Sequence, residues 1–188
     1  MKKGNLILIS GPSGVGKGSV IKGLIKQDNN FVLSISVTTR QQREYETDGI
    51  EYFFISDDEF QQMIEKDELL EWAEYAENKY GTPKKMIFEQ LEKGRNVILE
   101  IEVQGALQVM AKTDNLISIF ILPPDLDTLR NRLTKRGTED NDKLEKRLRV
   151  VEFELSKKEV FKYRVVNETG QLDKTIENIL EIIRKDAL

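Results

Sequence analysis

The segment from Leu6 to Ser19 constrains this chain more than any other. Leu6-Ile7-Leu8-Ile9 is a short continuous apolar run, the pattern of a parallel strand covered on both faces. It leads into Gly11-Pro12-Ser13-Gly14-Val15-Gly16-Lys17-Gly18-Ser19, and a helical stretch follows from about Gly16 to Gln27. Strand, glycine-rich turn and helix in that order are the context a phosphate-binding loop requires. The glycines let backbone N–H groups converge on phosphate oxygens with no Cβ in the way. The helix N-terminus adds the positive end of its dipole, and Lys17 supplies a mobile charge for the outer phosphates. Residue 18 departs from the pattern, because it is Gly where a Ser or Thr hydroxyl would contact Mg²⁺. Ser19 is the next hydroxyl, about 100° further round the helix. The loop alone implies bound nucleotide phosphates and leaves the substrate open.

The rest of the chain alternates strands and helices. Phe31–Ser36, residues 50–54, Val97–Ile101, Ile117–Leu122 and Tyr163–Asn167 read as strands. Ser56 with Glu59 three residues later predicts a capping box opening a helix to about Lys66. Thr82 before Pro83 predicts an N-cap, and Gly94 the end of that helix. Further helices are expected over Gln104–Ala111, from Pro124 to Arg136, from Leu144 onward, and over Leu172–Lys185. Such alternation predicts an α/β fold with a parallel sheet flanked by helices. Residues 37–81 break the rhythm, being richer in strand signals and charge, and read as an insert.

Composition narrows the chemistry. The chain has 188 residues with neither cysteine nor histidine. Disulfides, thiol nucleophiles, histidine bases and most zinc catalysis are therefore excluded. Charge is unevenly placed: residues 44–77 carry 13 acids and one base, whereas residues 130–149 carry eight bases and four acids. Solvated helix faces explain many of these residues; a basic stretch meeting a phosphate-rich ligand is the specific alternative. The net charge of −4 speaks against nucleic acid as a partner. No apolar run approaches the roughly 20 residues of a spanning helix, so no membrane association and a cytoplasmic location are expected.

Arg40 and Arg43 follow the hydroxyl residues Ser36, Thr38 and Thr39 at a strand end. Two arginines at that spacing suit one anionic group, since guanidinium matches phosphate bidentately; taken alone the signal is weak, and an ordinary charged surface is the better reading. Combined with the loop they become specific. Together with Ser36–Arg43, Asp48–Tyr52, Leu70-Glu71-Trp72, Tyr80-Gly81-Thr82, Leu99–Gly105, Pro123-Pro124, Arg136–Glu139 and Val165-Val166-Asn167, the chain resembles guanylate kinases from about residue 4 to residue 184. The Lys-Gly-Ser ending of the loop is similar to that of other nucleoside monophosphate kinases.

The resemblance implies a P-loop core (1–36, 83–125 and 148–188), a GMP-binding insert (37–82) and a helical lid (126–147). It implies phosphoryl transfer from ATP to GMP with Mg²⁺, and dGMP as a further acceptor. Residues Gly11, Pro12, Ser13, Gly14, Val15, Gly16, Lys17, Gly18, Ser19 and Asn167 would hold ATP. Arg40 and Arg43 would grip the GMP phosphate, helped by Tyr52 and Tyr80, while Ser36, Glu71 and Thr82 would read guanine with Glu102 nearby. Guanine presents a ring N–H beside an exocyclic NH₂, and one carboxylate accepts from both; adenine presents a lone pair there. Lys17, Arg40, Arg132, Arg136 and Arg147 would be catalytic. For the metal, Ser19 and Glu100 are the candidates: Glu100 follows the apolar run Val97–Leu99 at a strand end and would reach the ion through water, a structural ion pair being its alternative reading. A kinase for another monophosphate, a non-catalytic binding module and a P-loop switch remain the alternatives, and the sequence leaves the oligomeric state open.

Overall fold

The computed structural model describes residues 2–75, 77–134 and 141–186. Its main sheet contains β1 (Leu6–Ser10), β2 (Phe31–Leu33), β7 (Asn96–Glu100), β8 (Leu116–Leu122) and β9 (Tyr163–Val166), in the spatial order β2-β7-β1-β8-β9. Every pairing in it is parallel. The helices around it are α1 (Lys17–Gln27), α3 (Lys84–Glu92), α4 (Val103–Lys112), α5 (Leu126–Thr134), α6 (Asn141–Ser156) and α7 (Leu172–Asp186).

The continuous apolar run of β1 has a direct cause, because alternate side chains of a strand face opposite layers. Ile7 and Ile9 join Val20, Ile21 and Leu24 of α1 and Ile176 and Ile179 of α7 in one core. Leu6 and Leu8 join Ile87 of α3 and Val103, Ala106 and Val109 of α4 in the other. With all strands parallel, the ends of β1, β7 and β8 reach one edge of the sheet, where ligands of open α/β sheets bind. Ser10, Glu100 and Leu122 stand at that edge.

A second sheet, in the order β4-β3-β6-β5, is built from β3 (Val37–Thr38), β4 (Phe53–Phe54), β5 (Leu69–Tyr75) and β6 (Asn78–Pro83). Beside it lies α2 (Asp57–Glu65), whose Phe60 packs with Val37, Leu69 and Trp72 in a small separate core. The expected capping box is present: Glu59 N–H donates to Ser56 Oγ at 3.2 Å, and Ser56 N–H to Glu59 Oε2 at 2.8 Å.

Three expectations are corrected here. The strand expected over residues 50–54 is only Phe53–Phe54. The preceding backbone is spent on turns, with Thr47 N–H bound to Glu51 Oε2 and Gly49 N–H to the Tyr52 carbonyl. The run from Phe31 to Ser36 forms a strand only to Leu33. Thr82 does not cap α3, whose N-cap is Pro83 with no side-chain hydrogen bond. Pairing with β5 continues as far as Pro83, so Thr82 belongs to the ladder and its hydroxyl is bound elsewhere. Among the described residues, no helix is long and apolar enough to cross a membrane.

Candidate functional site

The loop between β1 and α1 turns sharply at the sheet edge. Gly11 has φ 146°, and a Cβ there would strike the Ile121 carbonyl oxygen of β8, so the chain passes β8 only without a side chain. Gly16 caps α1 with φ 100°, and a Cβ there would meet the Asn167 amide. Lys17 folds back over the loop, its ammonium donating to the Gly11 carbonyl at 2.6 Å and to that of Pro12 at 3.4 Å. Val15 N–H closes the turn on the Pro12 carbonyl. Gly18 has open space where a Cβ would stand.

Two elements brace the loop from outside. Asn167, buried at the end of β9, donates from Nδ2 to the Val15 carbonyl at 2.8 Å, while Thr175 donates to its Oδ1 at 3.3 Å. Arg132 of α5 spans the same corner, donating to the Val15 carbonyl, the Asn167 carbonyl and Thr169 Oγ1. Arg147 of α6 donates to Ser13 Oγ at 3.4 Å. Arg136 lies outside the described residues.

Opposite the loop, Ser36, Tyr52, Glu71, Tyr80, Glu102 and Gly105 help line a cavity of about 240 Å³. Glu71 Oε1 accepts from Thr82 Oγ1 at 2.5 Å, and a Cβ at Gly105 would clash with Oε2. Burial pushes the Glu71 carboxyl up; the Thr82 hydrogen bond and the Lys112 charge pull it back, and Glu102 adds to the rise. The Tyr52 and Tyr80 rings meet edge to face with centroids 5.9 Å apart.

A second cavity of about 540 Å³ runs from Ser13, Gly14, Gly16, Lys17, Gly18 and Ser19 to the insert. Ser36, Tyr52, Glu100, Ile101 and Glu102 line both spaces, so the two adjoin. Glu100 stands at the junction, accessible within the cleft. The surrounding walls push its carboxyl up, against the opposing charges of Lys17 and Lys22.

Arg40 and Arg43 stand at one end of the insert, where each already has partners. Arg40 Nη2 pairs with Glu46 Oε1 at 2.7 Å, and its guanidinium centre lies 5.6 Å from the rings of both Tyr52 and Phe54. Arg43 donates from its backbone N–H to Glu46 Oε2 and from Nη1 to Tyr45 Oη. The Arg40 hydrogen bond holds the Glu46 carboxyl below the usual carboxylate range, against the effect of burial.

Two residues of this region escape a reading of spacing alone. Glu46 continues the three-residue step of Arg40 and Arg43, but is lost among the acids of its segment. Glu154 lies on the same face of α6 as the buried Val151, and a carboxylate on an inward helical face was the available signal. Burial raises its carboxyl to about 7, opposed by Lys17, reinforced by Glu102, and opposed again by a hydrogen bond from the Ser13 backbone. Its Oε2 is buried without a hydrogen-bond partner.

The family model described as guanylate kinase matches residues 3–186. A guanylate kinase from Caldanaerobacter subterraneus subsp. tengcongensis is 48% identical over 97% of this chain and 87% of the relative. Another, from Latilactobacillus sakei subsp. sakei, is 45% identical over 99% of this chain and 91% of its own length. Among solved structures, guanylate kinase from Anaplasma phagocytophilum superposes with a TM-score of 0.79 at 32% identity, covering 100% of this chain and 88% of that one.

Proposed function

The chain belongs to the guanylate kinase family, and from this premise we propose that it transfers the γ-phosphoryl group of ATP to GMP, giving ADP and GDP, with the residue roles set out below. The observation that carries the reading is the shared wall of the two cavities. A donor held in the loop groove and an acceptor in the Glu71 pocket would meet at Glu100, Glu102, Ser36 and Tyr52.

The loop Gly11–Ser19 would cradle the ATP phosphates through its backbone N–H groups. Lys17 would leave the Gly11 carbonyl and follow the phosphoryl group as it transfers. Asn167 and Arg132 brace the loop through the Val15 carbonyl, and in this reading Asn167 also borders the adenine of ATP. Arg132, Arg136 and Arg147, on a lid spanning residues 126–147, would stabilise charge on the transferring group, an effect worth about 10³–10⁵ in rate in related phosphoryl transferases.

Residues 37–82 would bind the acceptor. Arg40 and Arg43 would take the GMP phosphate with the hydroxyls of Tyr52 and Tyr80. Glu71 would accept from the guanine ring N–H and NH₂, with Ser36, Thr82 and Glu102 around it. These contacts go to base and phosphate, so dGMP is an expected second acceptor. The GMP phosphate is largely ionised near neutrality and no base is needed. Catalysis is positioning and electrostatics, which suits a chain without histidine or cysteine. Closure of insert and lid would exclude water as a competing acceptor.

The residues present fit Mg²⁺. Ser19 and Glu100 line one cavity with Lys17, and hard oxygen donors supplemented by substrate phosphates are what this ion takes. Bound with ATP, it would neutralise phosphate charge.

The test is an acceptor panel of GMP, dGMP, AMP and UMP with ATP and Mg²⁺, followed by coupled ADP release. GMP should be the best acceptor. Faster turnover of AMP would overturn the guanine assignment, and an inert protein that bound phosphorylated peptides would favour a binding module.

A further inference from the structure

Strand β5 is an edge of the insert sheet, and an edge strand leaves a row of backbone groups without a strand partner. Side chains of α4 take up part of that row, at Leu70 and Trp72. Lys112 Nζ donates to the Leu70 carbonyl at 3.0 Å. Gln108 Nε2 donates to the Trp72 carbonyl at 2.7 Å, and its Oε1 accepts from Trp72 N–H at 3.4 Å. A single side-chain amide thus pairs with both backbone groups of one residue, as a neighbouring strand would. Gly105, Gln108 and Lys112 recur at spacings of three and four, on one face of α4. Gly105 lies against the Glu71 carboxylate, where a Cβ would meet Oε2. The backbone on both sides of Glu71 is therefore gripped by the same helix face that leaves room for its side chain.

We infer that Gln108 is a positioning residue for guanine selection: by pairing with Trp72 it fixes β5 on α4 and sets where the Glu71 carboxylate stands. The inference rests on the proposed base-reading role of Glu71. Helix α4 begins directly after Glu100-Ile101-Glu102, at the junction of the two cavities. Holding β5 to it fixes the acceptor base relative to the phosphate groove. The carboxylate lies between the Thr82 hydroxyl and Gly105. Loss of the Gln108 bridge frees the strand to shift, and hydrogen bonds weaken steeply with such misplacement.

The test compares kcat/KM for GMP and IMP, which lacks the exocyclic amino group, in the parent, Gln108→Met, Glu71→Gln and the double variant. Methionine keeps the length and helix propensity of glutamine while removing both hydrogen bonds. Gln108→Met should compress the GMP preference by roughly tenfold, the scale of one well-placed hydrogen bond. KM for ATP should stay within about twofold, because only acceptor binding is touched. With Glu71 already replaced, adding Gln108→Met should compress the preference no further. Gly105→Ala displaces the same carboxylate from the other side and should also compress it.

A lowered melting temperature with an unchanged GMP:IMP ratio in Gln108→Met would reduce Gln108 to a tether and overturn the inference. Should Gln108→Met not fold, an unchanged ratio in Gly105→Ala would overturn it as well. If Glu71→Gln compresses the ratio and Gln108→Met does not, the inference alone fails. If Glu71→Gln itself leaves the ratio unchanged, the base-reading role fails and the inference goes with it.

Discussion

The Thr82 hydroxyl donates to Glu71 Oε1 at 2.5 Å across the β5–β6 ladder, where the two residues are registered partners. One oxygen of the carboxylate is tied to the insert sheet, and the other faces α4 at Gly105. The bond opposes the effect of burial on Glu71, so Thr82 favours the ionised form of this carboxyl in the proposed acceptor pocket.

Replacing Thr82 with Val should therefore shift the pH profile of GMP binding. Glu71 must be ionised to accept from guanine, so GMP affinity is lost as pH falls through its pKa. Burial already raises that pKa, and losing the Thr82 bond raises it further. In Thr82→Val, KM for GMP should begin to climb at a higher pH than in the parent, across a series from about pH 5 to about pH 8. Coincident profiles would show that Thr82 does not govern the ionisation of Glu71.

Lys17→Ala should lower kcat at least about a hundredfold, as for removal of a charge-stabilising donor at a reacting centre. The fold should persist, because the Lys17 ammonium donates to loop carbonyls and the glycine turn is also held by the Val15–Pro12 bond and the Asn167 amide. Circular dichroism and coupled ADP release check both halves. Retained turnover would refute the phosphate-loop role.

Glu46→Gln should raise KM for GMP several-fold and leave KM for ATP unchanged. The buried carboxylate ties the Arg40 guanidinium to the Arg43 backbone, and a neutral amide holds an arginine less firmly than a carboxylate, by roughly half. Initial rates at saturating ATP measure the effect. Equal changes in both KM values would mean that Glu46 supports the whole fold and not the acceptor end.

Asn167→Asp should cost about 1–3 kcal/mol of stability. It replaces the donor to the Val15 carbonyl with a carboxylate facing that oxygen. KM for ATP should rise with it, since the Val15 carbonyl belongs to the loop. Denaturant unfolding and ATP titration test this; an unperturbed ATP KM would detach Asn167 from the donor site.

Glu154→Gln should change how stability depends on pH. In the folded protein the carboxyl is raised from 4.5 to about 7. Between those values the folded state holds a proton that the unfolded state has released, so stability falls as pH rises. Glutamine has no such proton. The melting temperature of Glu154→Gln minus that of the parent should grow from pH 5 and level off above about pH 7. A difference independent of pH would show that Glu154 does not titrate in this window.

Much of the framework was legible locally. The apolar run of β1, the glycine turn and the capping box at Ser56 and Glu59 are written in adjacent residues, because strand period, loop conformation and cap geometry are short-range physics. The antiparallel pair of β5 and β6 shows in the sequence only as a β-rich stretch. Its Leu69-Leu70-Glu71-Trp72 run carries no clean alternation, and a register shift lies between Leu69 and Glu71.

The sequence by itself determined that a loop rich in glycine joins a buried strand to a helix, and that two arginines and a set of acids follow it. Only the tertiary structure decided what those side chains hold. Thr82 looked like a helix cap and is a partner of Glu71; Glu154 is carried onto the phosphate loop; Gln108 reaches Trp72 across 36 residues of chain. Spacing along a chain encodes which face of an element a residue takes. It does not encode which distant element is packed against that face, and the state of a carboxylate depends on that packing through burial and neighbouring charge.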